Sequence, residues 1–255
     1  MMNRLIFVVV FVVATTVNCQ VPSSGASSTA EIIDLRLPTG TAPGSVEIAD
    51  FNGDSRFDVV VANENSNDVA ILLGDSIADI LTTNTEGNNV TVLLSDGGGG
   101  FKQSAGSPFA SGDAPFNFAV GDVNGDGDID LAVVNSPSSM AEGRGKDGLT
   151  VMLGNGNGGF TILAGSPFAT GKTPNRAAIG DVNGDGVNDI AVSSPDGNNL
   201  TLFLMSRRGT VASSSTIAVG GKPKGLAIHD LNGDGKADVV TTNNGENTVT
   251  IMLSK

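Results

Sequence analysis

Four times the chain repeats one nine-residue acidic pattern, Asp-x-Asn-Gly-Asp-x-x-x-Asp, over residues 50–58, 122–130, 181–189 and 230–238. The oxygen-bearing side chains are Asp50, Asn52, Asp54 and Asp58; Asp122, Asn124, Asp126 and Asp130; Asp181, Asn183, Asp185 and Asp189; Asp230, Asn232, Asp234 and Asp238. A main-chain carbonyl at the seventh position can add a further donor. Hard cations such as Ca²⁺ take roughly six to eight oxygens in flexible geometry. Three carboxylates crowded into nine residues repel one another unless a cation sits among them. The pattern therefore predicts about four Ca²⁺ sites made by those sixteen residues. Mg²⁺ fits less well, because it demands a stricter octahedron and keeps its waters.

The repeat also dictates the fold class. Each last Asp runs into an apolar strand, as in Asp130-Leu-Ala-Val-Val and Asp189-Ile-Ala-Val-Ser. A polar turn and a second apolar strand follow, starting at Val69, Leu149, Leu200 and Val249. Short apolar strands lead into the loops (Val46-Glu-Ile, Phe118-Ala-Val, Ala177-Ala-Ile, Leu226-Ala-Ile), and outer strands begin at Phe101, Phe160 and Ser215. The order is inner strand, acidic loop, strand, turn, strand, link, outer strand. That is a four-stranded antiparallel blade, and repeated blades read as an all-β propeller.

Loop starts are spaced 72, 59 and 49 residues apart. A fifth copy is contracted. Asp79 and Val90-Thr-Val-Leu-Leu94 keep the spacing of the strands after a loop, but only Asp75 and Asp79 remain of its acidic loop. From Leu73 to Asp79 is 6 residues where two other copies have 36. About thirty residues, two strands and most of a loop, are missing relative to the repeat. The expectation is four to five blades, one of them contracted. Segment 31–37, Glu-Ile-Ile-Asp-Leu-Arg-Leu, alternates like a strand. It is expected to supply the outer strand of the last blade and close the ring.

The N-terminus bounds the compartment. Residues 1–19 carry only Arg4 as a charge, then an apolar run from Leu5 to Ala14 and small residues near Cys19. This is the pattern of a secretory signal peptide, too short to span a membrane as a helix. Residues 20–30 form a short flexible segment, and 31–255 the repeat domain. Cleavage after Cys19 removes the only cysteine, so core and metal rather than disulfides must hold the fold. Without Arg4 the chain has 13 basic against 27 acidic residues, net −14. That argues against nucleic acid and anionic membrane surfaces as partners.

The stretches Gly-Asp-Val-Asn-Gly-Asp-Gly-x-x-Asp, with Gly-Ser-Pro-Phe-Ala before them and apolar strands after, resemble FG-GAP/VCBS repeats over residues 31–255. That family includes the propellers of integrin α chains. The resemblance implies Ca²⁺ in the loop joining the first two strands of a blade, and ligand contacts on the opposite rim. Mapped here, that rim takes in residues 136–148, Gly106-Ser-Pro-Phe109 and Gly165-Ser-Pro-Phe168. Integrin-type propellers have seven blades, and Trp and Tyr are absent here, so stacking on sugar faces is disfavoured.

No Gly-x-Ser-x-Gly, Ser/His/Asp set or phosphate loop is present, and His229 is the only histidine. The expected function is a secreted, non-enzymatic, calcium-binding propeller for an extracellular protein or glycan. The alternative is a Ca²⁺-dependent polysaccharide hydrolase or lyase, for which Lys172, Arg176, Lys222 and Lys224 are the basic residues near links. In a eukaryotic source, Asn89-Val-Thr and Asn199-Leu-Thr are glycosylation sequons at equivalent places.

Overall fold

The computed structural model describes strand residues 8–11, 43–49, 58–63, 68–72 and 80–84, and then 87–95, 101–137 and 145–255. The expected closing strand 31–37, the remnant Asp75 and Asp79, and most of the loop 50–58 lie outside these residues. No α-helix occurs among the described residues, and the strands form five separate sheets. The chain divides into two compact units, Met1–Ile80 with Leu93–Lys102, and Leu81–Val92 with Gln103–Lys255.

In the first unit, sheet one runs β1 (Val8–Phe11), β4 (Asp68–Leu72), β3 (Asp58–Asn63), β2 (Pro43–Ala49). The antiparallel β2-β3-β4 order is the one the repeat predicts. The outer place is taken by β1, which pairs with β4 in parallel, Val8 opposite Asp68 through Phe11 opposite Ile71. That strand comes from the segment read as a signal peptide. Its removal would leave β4 as the free edge.

Sheet two contains β5 (Ile80–Asn84), β6 (Asn89–Ser95) and β7 (Phe101–Gln103), with β8 (Phe109–Ala110) paired to β6. Among the described residues β5 is its first strand; residues 73–79, where the contraction is expected, lie outside them.

The second unit shows the repeat undamaged. Sheet three is β9 (Pro115–Gly121), β10 (Asp130–Asn135), β11 (Gly148–Gly154) and β12 (Phe160–Ile162). Sheet four is β13 (Arg176–Gly180), β14 (Asp189–Ser194), β15 (Asn199–Ser206) and β16 (Thr210–Ala218). Sheet five is β17 (Pro223–His229), β18 (Asp238–Asn243) and β19 (Thr248–Met252).

The second strands β10 and β14 are buried at every residue, and β14 has a sheet packed on each face. This is why they read as unbroken apolar runs rather than alternating ones. Val123, Ala132, Val134, Leu149, Val151 and Leu163 of sheet three cluster with Ile190, Val192, Phe203 and Met205 of sheet four. The opposite face of sheet four, Ala191 and Leu200, packs with Val239, Leu226, Ile228 and Met252 of sheet five. Met252 stands where sheet four has Phe203, and beside it an apolar cavity of about 160 Å³ opens between Leu200, Ile217 and Val239.

Close approach of neighbouring inner strands explains two glycines. A Cβ on Gly121 would lie 3.0 Å from Ile179, and one on Gly180 2.5 Å from Ile228. His229 occupies the same place in sheet five and is exposed. The outward face of sheet five is open as well: Leu231, Val249, Ile251 and Leu253 are 52–58 % exposed. The matching Val123, Leu149 and Val151 of sheet three are at most 1 % exposed. The exposure of His229 leaves room there for an imidazole.

Phe203→Ala should therefore lower stability by about 3–5 kcal/mol, while Val249→Ala should stay within about 0.5 kcal/mol. Denaturant unfolding of the two variants checks the contrast.

Candidate metal centres

Each described acidic loop is a chain of side chains turned back onto its own backbone. Asp122 accepts from the N–H groups of Gly125 at 2.6 Å and Gly127 at 2.9 Å. Asn124 Oδ1 accepts from Asp126 N at 2.8 Å, and Asp126 Oδ1 from Asp128 N at 2.8 Å. The second copy repeats these bonds: Asp181 takes Gly184 at 2.7 Å and Gly186 at 2.8 Å, Asn183 takes Asp185, and Asp185 takes Val187. So does the third, with Asp230 taking Gly233 at 2.7 Å and Gly235 at 2.9 Å, Asn232 taking Asp234, and Asp234 taking Lys236.

Glycine is required at the sixth position, where Gly127, Gly186 and Gly235 have φ of 78–90°. The loop at 50–58 carries Ser55 there. Of its four candidate ligands, Asp50, Asn52 and Asp54 lie outside the described residues and Asp58 begins β3.

The ninth-position carboxylates behave differently. Asp130, Asp189 and Asp238 are fully buried. One oxygen of each accepts from the second loop residue: Val123 at 2.9 Å, Val182 at 3.1 Å and Leu231 at 3.0 Å. The other accepts from the end of the third strand or just beyond it: Gly154 at 2.8 Å, Met205 at 2.9 Å and Ser254 at 2.8 Å. Each residue thus closes its loop and pins the third strand to the second.

Burial pushes the Asp130 carboxyl up to about 6. Hydrogen bonds from Gly154 and Val123 oppose the rise, and the negative charges of Asp126 and Asp122 add to it. Asp189 is raised for the same first reason, with Asp185 adding to it. Asp230, at the solvent end of its loop, is lowered, chiefly by the Gly235 N–H.

The donor set is oxygen throughout, which suits a hard cation. A carboxylate has about four lone-pair sites, and Asp122, Asp126 and Asp130 keep acceptor capacity beyond the bonds above. The crowding of Asp126 and Asp122 on Asp130 is the electrostatic problem a cation relieves. Among the described residues, no three His, Cys, Asp or Glu side chains are grouped to hold a metal by themselves. Asparagine and main-chain oxygens are needed to complete any such set.

Two features were not legible beforehand. Neighbouring loops are linked, since Asn188 Nδ2 donates to the Asp122 carbonyl at 2.8 Å and the Ala237 N–H to the Asp181 carbonyl at 2.7 Å. Both donors hold the eighth loop position, but Asn and Ala share no chemistry that would flag it. The Gly-Ser-Pro-Phe links, expected on a ligand rim, are used internally. Ser107 Oγ accepts from Val92 N at 2.9 Å and Ser166 Oγ from Val151 N at 3.1 Å. Phe168 packs on Phe203, and Phe109 meets Phe160 edge to face. Of the expected rim loop 136–148, residues 138–144 lie outside the described residues.

The link-side rim has its own regular device. Ala114, Thr173 and Lys222 each take positive φ just before a proline. Their N–H groups are held by Asn88 Oδ1 at 2.8 Å, Asp147 Oδ2 at 2.7 Å and Asn198 Oδ1 at 2.9 Å. Lys172, Lys222 and Lys224 lie on these links, all three exposed at the surface. The sequon residues Asn89 and Asn199 begin β6 and β15, each donating to the carbonyl two residues before it. Asn199 Oδ1 is buried and Thr201 is 2 % exposed, so this sequon is packed into the sheet.

Comparison with known proteins bears on the repeat. A family model described as FG-GAP-like repeat matches residues 72–133, 139–192 and 181–241, well over half the chain. No curated protein matches it. Among solved structures, the Vibrio cholerae biofilm matrix protein Bap1 is 18 % identical, with a TM-score of 0.38. That alignment covers 79 % of this chain and 28 % of Bap1, so the chain spans under a third of its length. BBS1N, solved in complex with ARL6DN and soaked with lead, is 13 % identical over 79 % of its chain and 85 % of this one, TM-score 0.39.

Asp189→Ala strips the partner from two buried N–H groups, those of Val182 and Met205. It should cost about 2–4 kcal/mol in denaturant unfolding under chelation, where the loss of the two backbone bonds is read by itself.

Proposed function

Because the chain belongs to the FG-GAP-like repeat family, we propose that it is a secreted, calcium-stabilised β-propeller serving as a non-enzymatic binding module. The observation that carries this reading is the acidic loop built the same way three times, with oxygen donors only. Asp122, Asn124, Asp126 and Asp130 would hold one ion, Asp181, Asn183, Asp185 and Asp189 a second, and Asp230, Asn232, Asp234 and Asp238 a third. Asp50, Asn52, Asp54 and Asp58 make the fourth site by sequence. When bound, the ion supplies positive charge to crowded carboxylates and stiffens the hairpin. The chain's own residues orient the loop through the backbone bonds described above.

Calcium modules outside cells bind at about 10⁻⁴–10⁻³ M, which suits millimolar extracellular calcium and a leader at residues 1–19. No helix among the described residues is long and apolar enough to cross a membrane. A β-propeller of four to five blades, one of them contracted, is the architecture we propose. The ligand, an extracellular protein or glycan, would meet the link-side rim, away from the ions.

Binding that favours the folded state adds about 1 kcal/mol per site at millimolar calcium. The melting temperature should rise by several degrees with calcium and fall on chelation, and elemental analysis should find three to four ions per chain. An unchanged midpoint and no retained ion would overturn the calcium reading. Glycan-array and matrix-protein binding, run beside polysaccharide cleavage assays, separates a binding module from an enzyme; cleavage without added enzyme would refute the non-enzymatic part.

A further inference from the structure

The described loops share their backbone geometry but not their electrostatic surroundings. Loop 122–130 carries a fourth carboxylate, Asp128, at the seventh position. That carboxylate lies against Gly156 in the turn between β11 and β12. The turn, residues 154–159, is made of glycine and asparagine and has no charge.

Loop 181–189 has Val187 at the seventh position, buried and neutral. Two cations close on it instead. Arg207, in the turn between β15 and β16, donates from Nη2 to the Asp185 carbonyl at 3.3 Å, beside Gly186. The stem of Lys236 crosses from the next loop and lies over Gly184, where a Cβ would meet its Cγ at 3.0 Å. Both contacts fall on the solvent side of the loop, since Gly184, Asp185 and Gly186 are exposed.

We infer that the loops are graded calcium sites: 122–130 fills first, and 181–189 last, because Arg207 and Lys236 hold positive charge over it. The inference rests on the reading of these loops as calcium sites. Affinity in such modules follows the count of ligand-side charge. Two unit charges near a divalent ion, screened by surface water, weaken it on the order of tenfold. The grading has a structural consequence. The Ala237 N–H bond to the Asp181 carbonyl ties loop 230–238 to the weakest site. The hairpin of sheet four is then the first left without an ion as calcium falls.

The test is a calcium titration of the full chain labelled with ¹⁵N-glycine, following the amides of Gly127, Gly186 and Gly235 separately. Gly127 should saturate at about tenfold lower calcium than Gly186. Arg207→Gln with Lys236→Gln should tighten the Gly186 transition about tenfold and leave Gly127 in place. Asp128→Asn should weaken the Gly127 transition alone, and it serves as the test if the double variant does not fold. Coincident transitions in the parent chain, or a Gly186 transition unmoved by loss of both cations, would overturn the grading while leaving calcium binding intact. If no loop glycine responds to calcium at all, the calcium reading itself fails and the grading with it.

Discussion

The buried carboxylate that ends each acidic loop is the contact on which the repeat unit depends. Asp130, Asp189 and Asp238 have no exposure to solvent, and each divides its two oxygens between the loop and the end of the third strand. A buried charge is costly unless hydrogen-bonded, and here the same two bonds that offset the cost set the geometry. They hold the hairpin closed at one end of the sheet. They also set where the third strand stops, and hence where the turn to the outer strand begins. The loop ahead of it can then be short, glycine-rich and exposed without losing its shape.

Packing between sheets builds on that unit. Sheets three, four and five present complementary apolar faces in one register, so each fully covered second strand is buried on both sides. Inner strands come closest, and there the chain allows only glycine opposite isoleucine. His229 and the exposed Val249, Ile251 and Leu253 break the rule at sheet five. The face keeps the residue pattern of a covered face, yet the position that needs the smallest residue has one of the bulkier ones.

Much of the candidate site was legible, because its signal is local. A nine-residue loop brings Asp122, Asn124 and Asp126 together by chain connectivity alone, and the glycines between them announce the turn. The division of labour among those residues was not legible. The pattern treats the ninth Asp as one donor among four, whereas burial makes it a staple with both oxygens engaged by backbone. In the Ser-Pro-Phe links, pairing of Phe168 with Leu149 carries the second link into the sheet, where Ser166 accepts a backbone N–H and Phe168 packs on Phe203.

The sequence by itself determined the strand order of the repeat, the loop positions and the all-oxygen donor set, since each follows from spacing within about fifty residues and from side-chain chemistry. Tertiary structure alone decided which of those oxygens are spent on backbone N–H groups, which loops lean on their neighbours, and where Arg207 and Lys236 come to rest. The last two depend on residues 22 to 66 positions apart being brought together, and no local period records them. The open face of sheet five is of the same kind, because exposure there is a property of what stands opposite and not of the residues that form it.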